Sequence, residues 1–279
     1  MNLSFAVPTP LEYFASLVQS DADFPLLEAA VSLAQDEYPE LDVQQVLDEV
    51  DQLQVRLNRQ IPADAEPLLK LRTINQFFFR DLGFAGNINN YSDPENSFIH
   101  VILRTRRAIP VTLAVVWMEL AQGVGLAVRG VGFPGHFMVK VHLPEGLVVI
   151  DPLDGLSLSR EALAERLAPF KQHSGMTADF DVPMGLYLQV EPPRDIIARM
   201  LHNLKEIHTA QQDWPALIAV QNRLIALLPQ AWTEYRDRGL AHAQAGHSRA
   251  ALKDLETYLF NALECPDMVE IAERAAELR

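Results

Sequence analysis

The hydrophobic pattern changes character in the middle of the chain. Apolar residues run almost without a break over 111–120, directly after Pro110, which is typical of a helix buried on most sides. Further on the period becomes alternating and predicts a strand that begins at His136 and a return strand over 147–150. The sequence therefore predicts a core helix followed by antiparallel strands.

The predicted hairpin brings two polar side chains toward each other. Residues 144–146 have the composition of a turn, and pairing across it carries Asp151, at the end of the return strand, toward His136. A register shift of one residue would place the two side chains on opposite faces, so the pattern alone leaves their contact open. A carboxylate beside an imidazole fixes the ring's tautomer, as acid–base and nucleophilic catalysis require.

Helical patterns surround this centre. From Thr9 to Leu82 the apolar spacing predicts helices, the first with a Thr-Pro-Leu-Glu start and the last ending in three phenylalanines expected in the core. After the hairpin, the pattern predicts a helix over 159–170 and a short strand over 186–190.

The C-terminal part is helical and repetitive. Residues of similar type recur from Asp195 onward at a spacing of 34, the period of tetratricopeptide repeats. Gly239 and Ala251 fit positions where paired helices approach closely. A Pro-Pro pair at 192–193 resists helix and marks a boundary. The predicted domains are 1–191 and 194–279, the second ending in a helix from Met268 to Leu278.

The loop over 83–96 is rich in glycine, asparagine and aspartate. Such turn formers favour a simple connector. The alternative is a polar lid over the His136 site, formed by Asn87, Tyr91, Asp93 and Asn96. The pattern leaves both interpretations open.

Composition narrows the function classes. The chain has 279 residues, of which 49% are hydrophobic and 22% charged, as in ordinary globular proteins. A net charge of −14 argues against direct binding of nucleic acid, which needs clustered cations. The single cysteine, Cys265, excludes an intramolecular disulfide, and the eight histidines form no metal-binding pair of the His-Glu-x-x-His type. We predict no metal and no cofactor.

The location is predicted from what the N-terminal and apolar segments lack. The first residues have neither the basic nor the apolar region of a secretory signal. No segment reaches the roughly 18 apolar residues that span a bilayer. We expect a cytoplasmic protein without a membrane partner, and the oligomeric state stays open.

The order of helix, histidine strand and aspartate strand resembles the papain-like transglutaminase fold. In that family a cysteine at the start of the core helix is the nucleophile, a histidine pairs with it and an Asp-Pro orients the histidine. The resemblance implies that His136 and Asp151, which precedes a proline, take the last two roles. The cysteine position falls at Pro110 or Val111, and neither side chain can attack a carbonyl. Thr112 is the nearest hydroxyl, although a threonine there more often bonds to its own helix.

A closer resemblance is to the bacterial SirB regulator family, which joins a transglutaminase-like domain to tetratricopeptide repeats. It implies an α+β domain of N-terminal helices, core helix and antiparallel sheet, followed by helical hairpins, and a regulatory role. We place Pro110, Pro134 and Gly135, which lie in the shared motifs, at the implied binding cleft. One departure is Ala108, where members usually have glycine. The motifs that carry the resemblance are 83–87, 91–97, 107–113, 132–137 and 150–155.

Three functions are compatible with this pattern. The first is a transglutaminase-like protein without its nucleophile, which regulates by binding a protein or peptide, because losing the nucleophile removes most of the rate of acyl transfer. The second is a hydrolase or other acyl-group enzyme in which His136 and Asp151 activate water. The third is a pure tetratricopeptide adaptor. We favour the first and expect a protein or peptide partner.

Overall fold

The structure is a computed structural model that describes residues 7–87, 89–173, 182–262 and 265–279. The chain divides into two compact units. The first unit comprises Leu26–Val31 and Asp42–Ile196, and the second comprises Ser32–Leu41, Ile197–Arg279 and the described residues up to Pro25. The predicted domain ranges, 1–191 and 194–279, stay a prediction. The units differ from them because the first helix packs against a helix of the C-terminal segment, and an apolar face does not reveal its partner.

The elements follow the predicted order. The strands are β1 (Ala85–Gly86), β2 (Arg107–Ala108), β3 (Ala127–Val131), β4 (Met138–Leu143), β5 (Gly146–Ile150) and β6 (Ser157–Leu158). The α-helices are α1 (Pro10–Leu17), α2 (Leu26–Ser32), α3 (Val43–Asn58), α4 (Pro67–Asn75), α5 (Ile99–Thr105), α6 (Pro110–Gly123), α7 (Arg160–His173), α8 (Met184–Tyr187), α9 (Pro193–Gln211), α10 (Trp214–Leu227), α11 (Trp232–Gln244), α12 (Ser248–Asn261) and α13 (Met268–Glu277).

The sheet of the first unit is antiparallel, in the order β3-β4-β5-β6. Val139 lies opposite Ile150 and Leu143 opposite Gly146, so the turn between β4 and β5 is two residues long. This register confirms the predicted hairpin. A separate parallel pair, β1 with β2, lies just ahead of α6 in the chain.

Helix α6 is the centre of the first unit. Its residues from Pro110 to Met118 are all buried, and it packs against α3, α4, β1, β3 and β4. Trp117 Nε1 donates to Asn75 Oδ1 over 3.1 Å, and Asn75 Nδ2 donates to the carbonyl of Gly155 over 3.3 Å. Asn75 therefore ties the core helix to the turn that follows β5.

The three phenylalanines are buried as predicted, but not in an α-helix. Helix α4 ends at Asn75 and continues as a π-helical turn, Gln76–Asp81, in which Phe77, Phe78 and Phe79 are all buried. Three consecutive residues cover too wide an arc for one face of an α-helix, and the wider π turn changes their directions.

The strand predicted over 186–190 is wrong. Met184–Tyr187 forms a helical turn, α8. Met184, Tyr187 and Leu188 pack against the cluster of Val131, Phe133, Met138, Val149, Leu163 and Leu167. Their spacing of three and four residues is that of one helix face. The apolar residues over 186–190 also alternate, and that alternation led to the prediction of a strand.

In the second unit, α9 to α13 form helical hairpins. The contacts of one repeat position show why it is a glycine in one repeat and a lysine in the other. A Cβ at Gly239 would lie 2.7 Å from Leu255 Cδ2, so α11 and α12 approach closely there. One repeat earlier the equivalent residue is Lys205. Its ammonium contacts Glu234 and Asp237, each over 2.6 Å, and so joins α9 to α11.

The turn after β5 provides a stability test. Gly155 has φ +78°, and a Cβ there would overlap the ring of Phe79. We expect Gly155→Ala to lower the free energy of unfolding by about 2–4 kcal/mol, because backbone strain adds to overpacking. Gly83 has φ +74° with open space around it, so Gly83→Ala should cost only about 1 kcal/mol. Urea denaturation measures both, and equal losses would contradict this account.

Candidate functional site

His136 and Asp151 meet at one end of the β4–β5 hairpin. The predicted strand start at His136 is wrong, because β4 begins only at Met138. His136 lies in the turn before β4, where its N–H donates to the carbonyl of Phe133 over 2.9 Å and Gly135 adopts φ +68°. Asp151 directly follows β5. His136 Nε2 lies 3.0 Å from Asp151 Oδ1. His136 and Asp151 are therefore in contact, a point that the sequence pattern left open.

The Asp151 carboxylate is buried, with 2% of its side chain exposed, and is surrounded by donors. Oδ1 also accepts from the backbone N–H of Leu153 over 3.0 Å, and Oδ2 accepts from Arg166 Nη1 over 2.5 Å. Burial on its own raises the pKa of this carboxyl. The hydrogen bonds of His136, Leu153 and Arg166, with the electrostatic attraction of His136, outweigh burial and lower the pKa to about 2. The carboxylate is ionised at neutral pH.

Arg166 is the site residue that the sequence did not reveal. Helix α7 buries Leu163 and Leu167 against the sheet, and Arg166 lies beside this face with its guanidinium on Asp151. The signal that was available is its position next to a buried leucine on an amphipathic helix. That position is common to many surface arginines, so it does not identify a site.

An open cleft of about 500 Å³ lies beside His136. One wall is the turn before β4, which includes the predicted residues Pro134 and Gly135, and the other is α7. The side chain of His136 is 17% exposed and that of Arg166 38%. The described residues that line the cleft are Phe133, Pro134, Gly135, His136, Arg166, Pro169 and Phe170.

At the start of α6, where the resemblance implies a cysteine, the chain carries two apolar residues. Pro110 occupies the first helical turn, as predicted, and both it and Val111 are buried. Thr112 is 0% exposed, and its Oγ1 has no hydrogen-bond partner among the described residues. The expected bond to its own helix is therefore absent, and its burial argues against attack on a substrate in the cleft.

The polar residues of the 83–96 loop bind one another. Asn87 Nδ2 donates to Asn96 Oδ1 over 2.9 Å, and the buried Asn96 donates to the carbonyl of Asn90 over 2.6 Å. Asp93 accepts from a backbone N–H of its own loop, and Tyr91 is 57% exposed. Of the described residues that line the cleft, none belongs to this loop. A lid role for the four residues stays a prediction.

Two kinds of feature are absent from the described ranges. Within them, no three His, Cys, Asp or Glu side chains come together as a metal site. No helix in that part of the chain is both long and apolar enough to cross a membrane.

Comparison with known families agrees with this architecture. A family model described as the transglutaminase-like superfamily matches residues 44–202, and one described as a tetratricopeptide repeat matches 204–278. These matches confirm the predicted fold class, a transglutaminase-like α+β domain followed by tetratricopeptide-like helices. No solved structure shows a significant match to the chain.

The chain is also similar to bacterial proteins known as UPF0162 proteins. A relative from Xylella fastidiosa (strain Temecula1) is 36% identical over 244 residues, which are 86% of this chain and 84% of the relative. A relative from Pseudomonas aeruginosa is 27% identical over 256 residues, covering 91% and 90% of the two chains. One from Vibrio cholerae is 24% identical over 251 residues, covering 88% and 90%.

The lowered pKa of Asp151 predicts a pH dependence of stability. A folded pKa of about 2, below the ordinary value near 3.9, means that ionised Asp151 stabilises the fold above about pH 4 and that this contribution is lost as the pH falls toward 2. We expect Asp151→Asn to be less stable than wild type at pH 6, with the gap narrowing by about 2 kcal/mol toward pH 2.

Urea denaturation at several pH values measures this gap. Asp154→Asn removes an exposed carboxylate from the same turn and is the matched control for the loss of one charge. A gap between wild type and Asp151→Asn that does not change between pH 6 and about pH 2.5 would contradict the prediction.

Proposed function

The chain belongs to the transglutaminase-like superfamily and to the UPF0162 family, and on that premise we propose that it is a regulatory protein that binds a peptide or protein and catalyses no acyl transfer. The cleft beside His136 is the proposed binding site. The regulatory role extends the resemblance to the SirB regulator family. Cytoplasmic location and the absence of a nucleic-acid partner belong to the same proposal.

The observation that carries the proposal is the missing nucleophile. Acyl transfer on this fold needs a group that attacks the carbonyl, and Pro110 and Val111 offer none. The sole cysteine, Cys265, belongs to the unit of C-terminal helices and not to the unit that holds His136. Without a nucleophile, a histidine–aspartate pair retains little of the rate enhancement.

The cleft has the properties of a binding site. Its volume, about 500 Å³, falls within the roughly 300–1,000 Å³ typical of ligand sites. Its walls are mainly proline and phenylalanine, and Phe170 is 39% exposed there. The fixed polar group formed by His136, Asp151 and Arg166 adds orientation to this apolar surface.

The tetratricopeptide-like helices support a protein partner, because such repeats usually mediate interactions between proteins. The described surface of these helices includes two large apolar side chains that are far more exposed than usual, Phe260 at 82% and Val269 at 72%. Single exposed apolar groups are common on protein surfaces, and here they mark positions at which contact with another protein can be tested. They also give the adaptor alternative, in which only the repeats bind, a surface that can be tested.

The test compares matched phenylalanine variants of the full-length protein. Random peptides displayed on phage are selected on the immobilised protein, and the dissociation constants of those selected are measured by fluorescence anisotropy. We expect Phe170→Ser to weaken binding about tenfold or more, because it removes an aromatic wall of the cleft. Phe260→Ser, which removes an exposed phenylalanine from the C-terminal helices, should change the dissociation constant by less than about twofold.

Two results would contradict the proposal. Unchanged affinity in Phe170→Ser, or failure to select any peptide above background, would show that the cleft is not a peptide site. Loss of binding only in Phe260→Ser would favour the adaptor alternative. Circular dichroism and urea denaturation establish that both variants are folded.

A second candidate function is hydrolysis, favoured by the 3.0 Å contact between His136 and an ionised Asp151. In a hydrolase His136 would take a proton from water, and its loss would lower turnover roughly 100-fold or more. Under the binding proposal we expect wild type and His136→Asn to hydrolyse p-nitrophenyl acetate and short peptide esters at equal rates. A rate that is lost with His136→Asn, while the variant stays folded, would establish the hydrolase instead.

A further inference from the structure

We propose that the cleft beside His136 binds the C-terminal carboxylate of a peptide whose last residue is apolar, and that Arg166 is the residue that receives this carboxylate. The inference rests on the proposed binding function and adds the chemistry of the ligand. It follows from three properties of the site: the open donors of Arg166, the way its guanidinium is held, and the apolar walls beside it.

Arg166 has more hydrogen-bond donors than partners. A guanidinium carries five N–H groups, and Arg166 uses Nη1 on Asp151. Among the described residues the structure shows no second partner for it, and its side chain, 38% exposed, lines the cleft. An arginine with an open edge binds a carboxylate through two parallel hydrogen bonds, a geometry that lysine cannot reproduce.

The guanidinium is held in place before any ligand arrives. Asp151, itself buried, fixes Nη1 at 2.5 Å, while the leucines on either side along α7 anchor the helix to the sheet. Holding the side chain in advance reduces the entropy lost on binding. Because the five donors lie on different edges of one plane, Arg166 can pair with Asp151 and with a second carboxylate together.

The walls of the cleft indicate where the carboxylate comes from. Pro134, Pro169 and Phe170 line the same cleft as Arg166. In the last residue of a peptide the carboxylate and the side chain share one Cα, so a single residue supplies both the charge and the apolar group. An internal aspartate or glutamate would need a neighbouring residue to make the apolar contact. The peptide would also continue on both sides of it, and a cleft of about 500 Å³ would have to hold both parts.

The charge of the protein makes such recognition selective. A net charge of −14 repels acidic peptides at a distance, so a general attraction to anions does not explain binding. A single carboxylate placed on one open guanidinium avoids most of that repulsion. The cleft should therefore distinguish a terminal carboxylate from an otherwise identical neutral terminus.

The experiment uses the full-length protein and three labelled probes. Fluorescein-labelled Gly-Ser-Gly-Phe is prepared with a free carboxylate and as the C-terminal amide, and Gly-Glu-Gly-Phe amide carries its carboxylate internally. Anisotropy titrations give the dissociation constants. We expect the free acid to bind about tenfold or more tightly than either amide, because charge-assisted hydrogen bonds are among the stronger ones.

Variants of α7 assign this preference to Arg166. Arg166→Gln should abolish the difference between the dissociation constants of the acid and the amide, and Arg166→Lys should retain only part of that difference. Arg160→Gln removes the same charge from an exposed position on the same helix and should leave the difference intact. Circular dichroism and urea midpoints check that each variant is folded.

Each contrary result removes a defined part of the inference. Equal dissociation constants of acid and amide for wild type, or no binding of the acid, overturn carboxylate recognition. The proposed function is tested separately, by the peptides selected by phage display. Tighter binding of the internal glutamate probe overturns the choice of a terminal carboxylate. A preference for the acid that persists in Arg166→Gln overturns the role of Arg166.

Discussion

The buried carboxylate of Asp151 is the interaction on which the site depends. A charge removed from water costs free energy unless hydrogen bonds and opposite charges surround it. Its donors come from three places: the turn before β4 supplies His136, its own turn supplies the N–H of Leu153, and α7 supplies Arg166. The hairpin and α7 must converge for all three to reach it. The two walls of the cleft are the elements that carry His136 and Arg166, so the same requirement shapes the cleft.

This requirement explains how a histidine–aspartate pair can persist without a nucleophile. Pro110 and Val111 fill the start of α6 with buried apolar groups, so the fold there does not depend on the cysteine that the resemblance implies. Removing Asp151 would instead leave Arg166 and His136 without the acceptor they share. The intact pair is therefore accounted for by stability as well as by chemistry, and by itself it does not argue for catalysis. That weighs toward binding as the function of the cleft.

Much of this site is predictable from the sequence, and the remainder has physical reasons for being hidden. The period of apolar residues suffices for the core helix and hairpin, and a two-residue turn fixes the register that brings His136 to Asp151. Arg166 is not predictable because its partner, Asp151, belongs to another element, the turn after β5. The residues around Arg166 have the same pattern as those around an ordinary surface arginine. The error at 186–190 arises because a short apolar run fits a strand and a helical turn equally well.

The C-terminal helices use their charges differently from the cleft. In the part of the chain that the structure describes, Lys205 pairs with Glu234, Arg236 with Asp267 and Arg238 with Asp254, each outside its own helix. These three cations are already occupied, so an acidic partner would gain little from them. In the cleft, Arg166 keeps an open edge. Under the proposed function, this open edge is what sets the cleft apart as the place that receives an anionic group of the ligand.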